Sequence, residues 1–271
     1  MWPAAAAQPT QAEPTAPGVT AATPLAIGET FTLASRALGE TRRINVYRPT
    51  AWNLPADQPL PVLYMPDGGI GEDFLHVAGL VQVLVANGSM RPFLLVGIEN
   101  TERRRDMTGP TQDPKDRTIA PRVGGAPAFR AFLRTELMPQ VRQRHATTGE
   151  TAIVGESLAG LFVLDTLVRE PDLFDTYIAL DPSLWWNRGQ LLDEAVAQLK
   201  AADVRGKQVA IASGNDPKLA ADAARFAQAV GAALPGIDVK QRAMPEETHL
   251  TLYHPAALWA LRTLFKPVAA P

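Results

Sequence analysis

Thr151-Ala152-Ile153-Val154-Gly155-Glu156-Ser157-Leu158-Ala159-Gly160-Leu161-Phe162-Val163-Leu164 is the stretch that decides the fold. Ala152, Ile153 and Val154 form a short apolar run, as in a strand covered on both faces. Leu161, Leu164, Leu167 and Val168 then recur at helical spacing. Between the two lie a serine and the small residues Gly155, Ala159 and Gly160. A serine on a sharp strand-to-helix turn must adopt a strained backbone, and its neighbours two positions away must be small. The helix that follows points its amide end at the serine, where a negative oxygen is stabilised. The bland alternative is a serine that only caps a helix. Ala159 stands where the G-x-S-x-G pattern has its last glycine.

Working outward, apolar strand-like runs alternate with helical ones. Phe31-Thr32-Leu33 and Arg43 to Tyr47 read as an antiparallel pair. Pro61 to Met65, Phe93 to Ile98, Thr176 to Leu180, Val209 to Ala212 and Val239 to Met244 read as further strands. Helices are expected over Phe74–Ala86, Phe129–Arg144, Gln190–Ala202, Lys218–Val230 and Pro255–Phe265. This order predicts an α/β protein with a mostly parallel central sheet and helices on both faces. A polar loop from Asn100 to Ala126 is long for a compact domain, and such loops tend to be functional.

Residues 1–27 read as a flexible Ala/Pro-rich tail, and 28–271 as one domain. Ala5-Ala6-Ala7 looks like the small-residue end of a secretory signal whose basic and apolar parts are missing, which tilts the expectation towards a periplasmic or secreted protein. The chain has 271 residues, 46% of them hydrophobic and 20% charged, within the globular range. A net charge of -2 gives no reason to expect a nucleic-acid partner. The absence of cysteine excludes disulfides, thiolate catalysis and Cys-bound metal sites. No apolar run is long enough to span a bilayer. Oligomeric state is not legible.

A serine hydroxyl needs an adjacent base, and the base needs an orienting acid. Working residues of parallel α/β sheets collect beyond the carboxyl ends of strands. Ser157, Asp216 and His249 lie in such loops, in the chain order expected of an α/β-hydrolase. His249 is the expected base; His76 and His145 read as structural or solvated, and His254 as the opening of the last helix. For the acid, Asp216 competes with Asp222, Glu247 and no acid at all, and Asp216 equally suits a turn or a helix cap. Leu158 N–H is one expected oxyanion donor, and Gly69 or Ile70 the second, unless Gly68-Gly69 is only a tight turn. Trp185 and Trp186 are candidates for the wall of an acyl pocket, with core packing as the alternative. Arg105, in the run Arg103-Arg104-Arg105-Asp106, is a candidate clamp for an anionic group, with internal Arg–Asp pairing as the alternative.

Several stretches together resemble a known family. These are Gly155 to Phe162, Asp181-Pro182-Ser183-Leu184-Trp185-Trp186, Arg103 to Thr108, Gly28-Glu29-Thr30-Phe31 and Arg42 to Tyr47. They look like the Putative esterase family of α/β-hydrolases, which includes siderophore esterases, feruloyl esterases, S-formylglutathione hydrolases and mycolyltransferases. The resemblance runs from about Gly28 to Phe265. It implies a carboxylic-ester hydrolase built on Ser157 and His249, acting on a small-molecule ester with no metal or other cofactor. Ser-Leu-Trp-Trp is the most specific piece and points to the siderophore-esterase side. The competing expectations are an esterase for small or aromatic acyl esters, a catecholate siderophore lactone esterase, and a non-catalytic binding module that kept the fold.

Overall fold

The computed structural model describes residues 22–51 and 54–267. Most of the expected tail, Ala5–Ala7 included, therefore lies outside the described residues. Eight strands form one sheet: β1 (Glu29–Ser35), β2 (Glu40–Tyr47), β3 (Leu60–Pro66), β4 (Leu94–Ile98), β5 (Thr147–Glu156), β6 (Thr176–Leu180), β7 (Gln208–Ser213) and β8 (Asp238–Ala243). Their order across the sheet is β1-β2-β4-β3-β5-β6-β7-β8. β1 pairs antiparallel with β2, and β2 antiparallel with β4. From β4 to β8 every neighbouring pair is parallel. The carboxyl ends of β3, β5, β6, β7 and β8 therefore open onto one rim.

The helices are α1 (Phe74–Ala86), α2 (Arg103–Asp106), α3 (Ala126–Phe132), α4 (Met138–Arg144), α5 (Leu158–Arg169), α6 (Gln190–Lys200), α7 (Pro217–Ala233) and α8 (Tyr253–Leu264). Alternation along each strand divides the core between two faces. Ala152, Val154, Ile178 and Leu180 pack with α1 and α8, whereas Ile153, Tyr177 and Ala179 pack with α3 to α7. β3, β4, β6, β7 and the Ala152–Gly155 stretch of β5 are almost entirely buried, as expected of strands covered on both sides.

Two expectations change in detail. The helix expected over Phe129–Arg144 begins earlier, at Ala126, and is interrupted by a wide turn at Leu133–Leu137. The loop Asn100–Ala126 is not wholly irregular: it holds α2 and a single 3-10 turn at Asp116–Thr118. It is also tied down. Asp116 accepts hydrogen bonds from Thr111 Oγ1 and from the Asn187 backbone, and Trp186 Nε1 donates to Gly109 O at 2.9 Å.

Candidate active site

The site begins with the turn between β5 and α5. Ser157 holds φ 60° and ψ -118°, a conformation that costs a non-glycine residue about 1–3 kcal/mol. The surroundings fix it there. Its N–H donates to Leu180 O, its carbonyl accepts from Leu161 N and from Ser183 N, and the three distances are 2.9, 2.9 and 3.0 Å. The turn is too tight for a larger residue at position 155, where an added Cβ would stand 2.6 Å from Ala159 O and 2.8 Å from Ala159 Cβ. Alanine at 159 fits, completely buried.

The strained turn presents Ser157 Oγ to His249, which lies beyond β8. The hydroxyl is 3.0 Å from His249 Nε2. On the other side of the ring, His249 Nδ1 is 2.6 Å from Asp181 Oδ2. Asp181 ends β6, the strand beside β5, and is fully buried with φ 43°. Its second oxygen accepts from Gly214 N at 3.0 Å, so the carboxylate is held at both ends. The hydrogen bond to Asp181 raises the His249 pKa above its ordinary 6.5, burial opposes this, and the Glu156 charge adds to the rise. Ser183, also buried, places its Oγ 3.5 Å from Ser157 Oγ.

Asp216 does not reach this site. It caps α7, its side chain accepting from Lys218 N and Leu219 N at 2.9 Å each. That is the turn-and-cap role its Gly-Asn-Asp-Pro context also suits. Asp222 pairs with Lys218 Nζ at 2.6 Å along the same helix. Glu247 contributes its backbone carbonyl, which accepts from Asn215 N at 2.8 Å. The carboxylate beside the base is Asp181, which the sequence reading did not weigh. The available signal was a carboxylate directly after the buried strand Thr176–Leu180, next to the elbow strand.

Leu158 opens α5, so its N–H has no acceptor within the helix. The loop after β3 differs from expectation. Gly68 packs so closely on β4 that a Cβ would stand 2.3 Å from Gly97 Cα and Ile98 N. Gly69 N–H, however, donates to Glu72 Oε2 at 2.7 Å, so a carboxylate occupies the donor expected for an oxyanion. The Ile70 N–H has no acceptor among the described residues.

The arginine run is committed internally. Arg103 grips Asp67 with two hydrogen bonds of 2.6 and 2.9 Å. Arg104 donates to Ile119 O. Arg105, expected as a substrate clamp, pairs with Glu40 at 2.8 Å and with Asp106 at 2.7 Å. Trp186 is buried and its indole N–H is used on Gly109; Trp185 is only partly buried and packs against the core. Of the two expected pocket walls, Trp186 lines a cavity of about 370 Å³ with Gly109, Arg130 and Asp165, and Trp185 is the more exposed. His76 lies against Tyr253 and His254, His145 beside Glu29 at 3.0 Å, and His254 in the first turn of α8. No group of His, Asp and Glu able to hold a metal ion occurs among the described residues. No described helix is long and apolar enough to cross a membrane.

A serine on a strained strand-to-helix elbow of a sheet of this order, with a histidine beyond the last strand, defines an α/β-hydrolase fold. The chain belongs to the Putative esterase family, whose model matches residues 35–257. It is 32% identical over 180 residues to the ferri-bacillibactin esterase BesA of Bacillus subtilis, covering 59% of this chain and 60% of that protein. It is 33% identical over 205 residues to the siderophore triacetylfusarinine C esterase of Aspergillus fumigatus, covering 68% of this chain and 65% of that one. The matches thus span less than two thirds of either relative. Among solved structures, the IroE-like serine hydrolase of Shewanella oneidensis superposes with a TM-score of 0.78 at 28% identity, over 88% of this chain and 80% of that one.

Proposed function

We propose that the chain is a serine carboxylic-ester hydrolase that works through an acyl-enzyme, with Ser157 as nucleophile, His249 as general base and Asp181 as its orienting acid. The observation that carries this is the unbroken relay of 3.0 Å from Ser157 Oγ to His249 Nε2 and 2.6 Å from Nδ1 to Asp181. Ser157 Oγ attacks the ester carbonyl carbon while His249 Nε2 takes its proton. The carbonyl oxygen becomes an oxyanion facing the Leu158 N–H; Ile70 N–H is the candidate second donor, in place of Gly69. One such donor contributes about 3 kcal/mol to the transition state. The tetrahedral centre collapses, and the leaving alkoxide takes the proton from Nε2. Water then repeats the sequence on the acyl-enzyme, with His249 again as base.

Small or aromatic acyl esters are the substrates of this reading; Ile70 also lines a cavity of about 410 Å³ with Ile27 and Phe74, but neither Ser157 nor His249 is among its walls. The two siderophore-esterase relatives favour a second, narrower reading, in which the ester is that of a siderophore. In that reading the arginine run is not the contact, because its guanidinium groups already have partners. A periplasmic or secreted location rests on Ala5–Ala7 alone and is tested by fractionating cells that express the full gene.

The deciding assay is hydrolysis of p-nitrophenyl butyrate by the wild-type protein and by Ser157→Ala. Equal rates would reject the serine mechanism and favour a binding module. Hydrolysis of simple esters without cleavage of a catecholate trilactone or a fusarinine-type ester would reject the siderophore reading alone.

A further inference from the structure

Glu156 is the last residue of β5, immediately before the nucleophile. Its carboxylate is largely buried, 15% exposed, and its Oε1 lies 3.6 Å from His249 Nε2. This is the ring nitrogen that faces Ser157; Asp181 occupies the other. The imidazole therefore has a carboxylate at each nitrogen. No hydrogen bond reaches the Glu156 carboxylate from any described residue, although its backbone carbonyl accepts from Arg103. A partly buried carboxylate that makes no hydrogen bond to the described residues, 3.6 Å from a reacting nitrogen, is free to act on that nitrogen.

The groups around the pair come from several elements. Arg103 in α2 is engaged bidentately by Asp67 at the end of β3. Asp181 stands beyond β6, and Asp67 and Asp181 both act on Glu156 as negative neighbours. Tyr253 of α8, also buried, has Glu156 and Asp73 among its negative neighbours. Among these groups the cations acting on Glu156 are Arg103 and protonated His249.

We propose that Glu156 is a positioning residue for acyl transfer, the second carboxylate that holds the His249 imidazolium through Nε2–H. The inference rests on the serine-esterase reading. Before attack, Nε2 is the acceptor of the Ser157 proton and needs no acid beside it. Once Oγ has bonded to the carbonyl carbon, the proton sits on Nε2, and Oγ has become an ester-like oxygen and a poor acceptor. Nε2–H then needs an acceptor until the leaving oxygen takes the proton. Glu156 Oε1 is placed to be that acceptor after a small shift of the ring. The proton stays covalently on Nε2 until the leaving oxygen takes it, and it is never transferred to Glu156. Burial pushes the Glu156 carboxyl up to about 7, against the pull of the His249 and Arg103 charges, and the two groups therefore sense each other's charge.

The test compares wild-type protein, Glu156→Gln and Glu156→Asp. The glutamine variant keeps the shape and removes the charge; the aspartate variant keeps the charge and withdraws it by one methylene. The primary readout is the NMR titration of the His249 imidazole, which needs no turnover. Removal of an opposite charge at this distance is expected to lower the His249 pKa by about one unit, with Glu156→Asp intermediate. The acid limb of kcat/KM should move to lower pH in the same order. At its plateau, Glu156→Gln should lose about tenfold in kcat with little change in KM, the equivalent of that one unit. If Glu156→Gln does not fold, as judged by circular dichroism, Glu156→Asp reads the same contact. An active wild-type enzyme whose His249 titration is the same in the variants would overturn the role of Glu156 alone. A wild-type protein inactive on every ester would reject the esterase reading and this role with it.

Discussion

Asp181 Oδ2 meets His249 Nδ1 at 2.6 Å although 68 positions separate the two residues. The contact exists because β6 lies beside β5 and ends at the same rim. Asp181 is also pinned from behind by Gly214 N–H, so the carboxylate cannot turn away from the ring. If this aspartate fixes the His249 tautomer, Asp181→Asn should lower kcat on p-nitrophenyl esters by about 10³- to 10⁴-fold with a small change in KM. Asp216→Ala should leave kcat as it is and lower stability by about 1 kcal/mol, because it removes a helix cap. Steady-state kinetics and thermal unfolding of the two variants separate the roles.

The same hydrogen bond sets a pH dependence. Only neutral imidazole can take the Ser157 proton, and Asp181 raises the His249 pKa above 6.5. Esterase activity should therefore fall as pH drops through a value above 6.5, not at it. Asp181→Asn should move that limb down in pH. The sign for stability is the reverse of that for activity. A histidine whose folded pKa is raised stabilises fully below its unfolded pKa of about 6.5. That contribution is lost as pH rises through the folded value. Denaturant titrations of wild type and His249→Gln across pH 5 to 9 would show the difference between the two proteins shrinking as pH rises.

The elbow makes a sharper structural demand. A methyl group at position 155 would meet backbone, the carbonyl of Ala159 at 2.6 Å, which cannot swing aside. Gly155→Ala should displace Ser157 from His249, costing at least 10²-fold in kcat and about 1–3 kcal/mol of stability. Ala159→Gly removes a buried methyl and adds helix flexibility, so it should cost about 1 kcal/mol yet leave the relay assembled. Rates for the two variants, measured below their unfolding temperatures, distinguish geometry from mere loss of folded protein.

Sequence patterning made the parallel centre of the sheet legible because β3, β4, β6, β7 and the second half of β5 are short, mostly apolar, buried runs. The elbow was legible because strain and crowding dictate which residues surround Ser157. His249 was legible because of its place beyond the last strand. Asp181 was hidden for a physical reason. An aspartate followed by proline looks like any loop start, and only lateral pairing of β6 with β5, invisible along the chain, brings it to the ring. Gly69 failed for a related reason. Gly68 does permit a close approach of backbone, but the Gly69 donor is claimed by Glu72, three residues on. Arg105 is not the substrate clamp its sequence suggests: the partners that hold the arginine run, Glu40 in β2 and Asp67 just after β3, are distant along the chain.

Arg42 and Asp106 provide the last test, because they separate the arginine-rich loop from substrate recognition. Both side chains are fully buried, joined at 2.6 Å, and Arg42 lies over the Phe129 ring with its carbon 5.3 Å from the centroid. Asp106 also receives Arg105, which in turn binds Glu40. The cluster therefore bolts α2 to the β1–β2 edge, and its charges compensate one another. Removing one partner strands a buried charge, which costs about 3–5 kcal/mol. Asp106→Ala should thus unfold at markedly lower denaturant concentration. Arg105→Ala should be milder, since its partners keep other contacts. If the cluster is purely structural, the folded fraction of either variant should keep the wild-type KM for both neutral and anionic esters. A KM for anionic esters that rises in Arg105→Ala while that for neutral esters stays constant would restore Arg105 as a substrate contact.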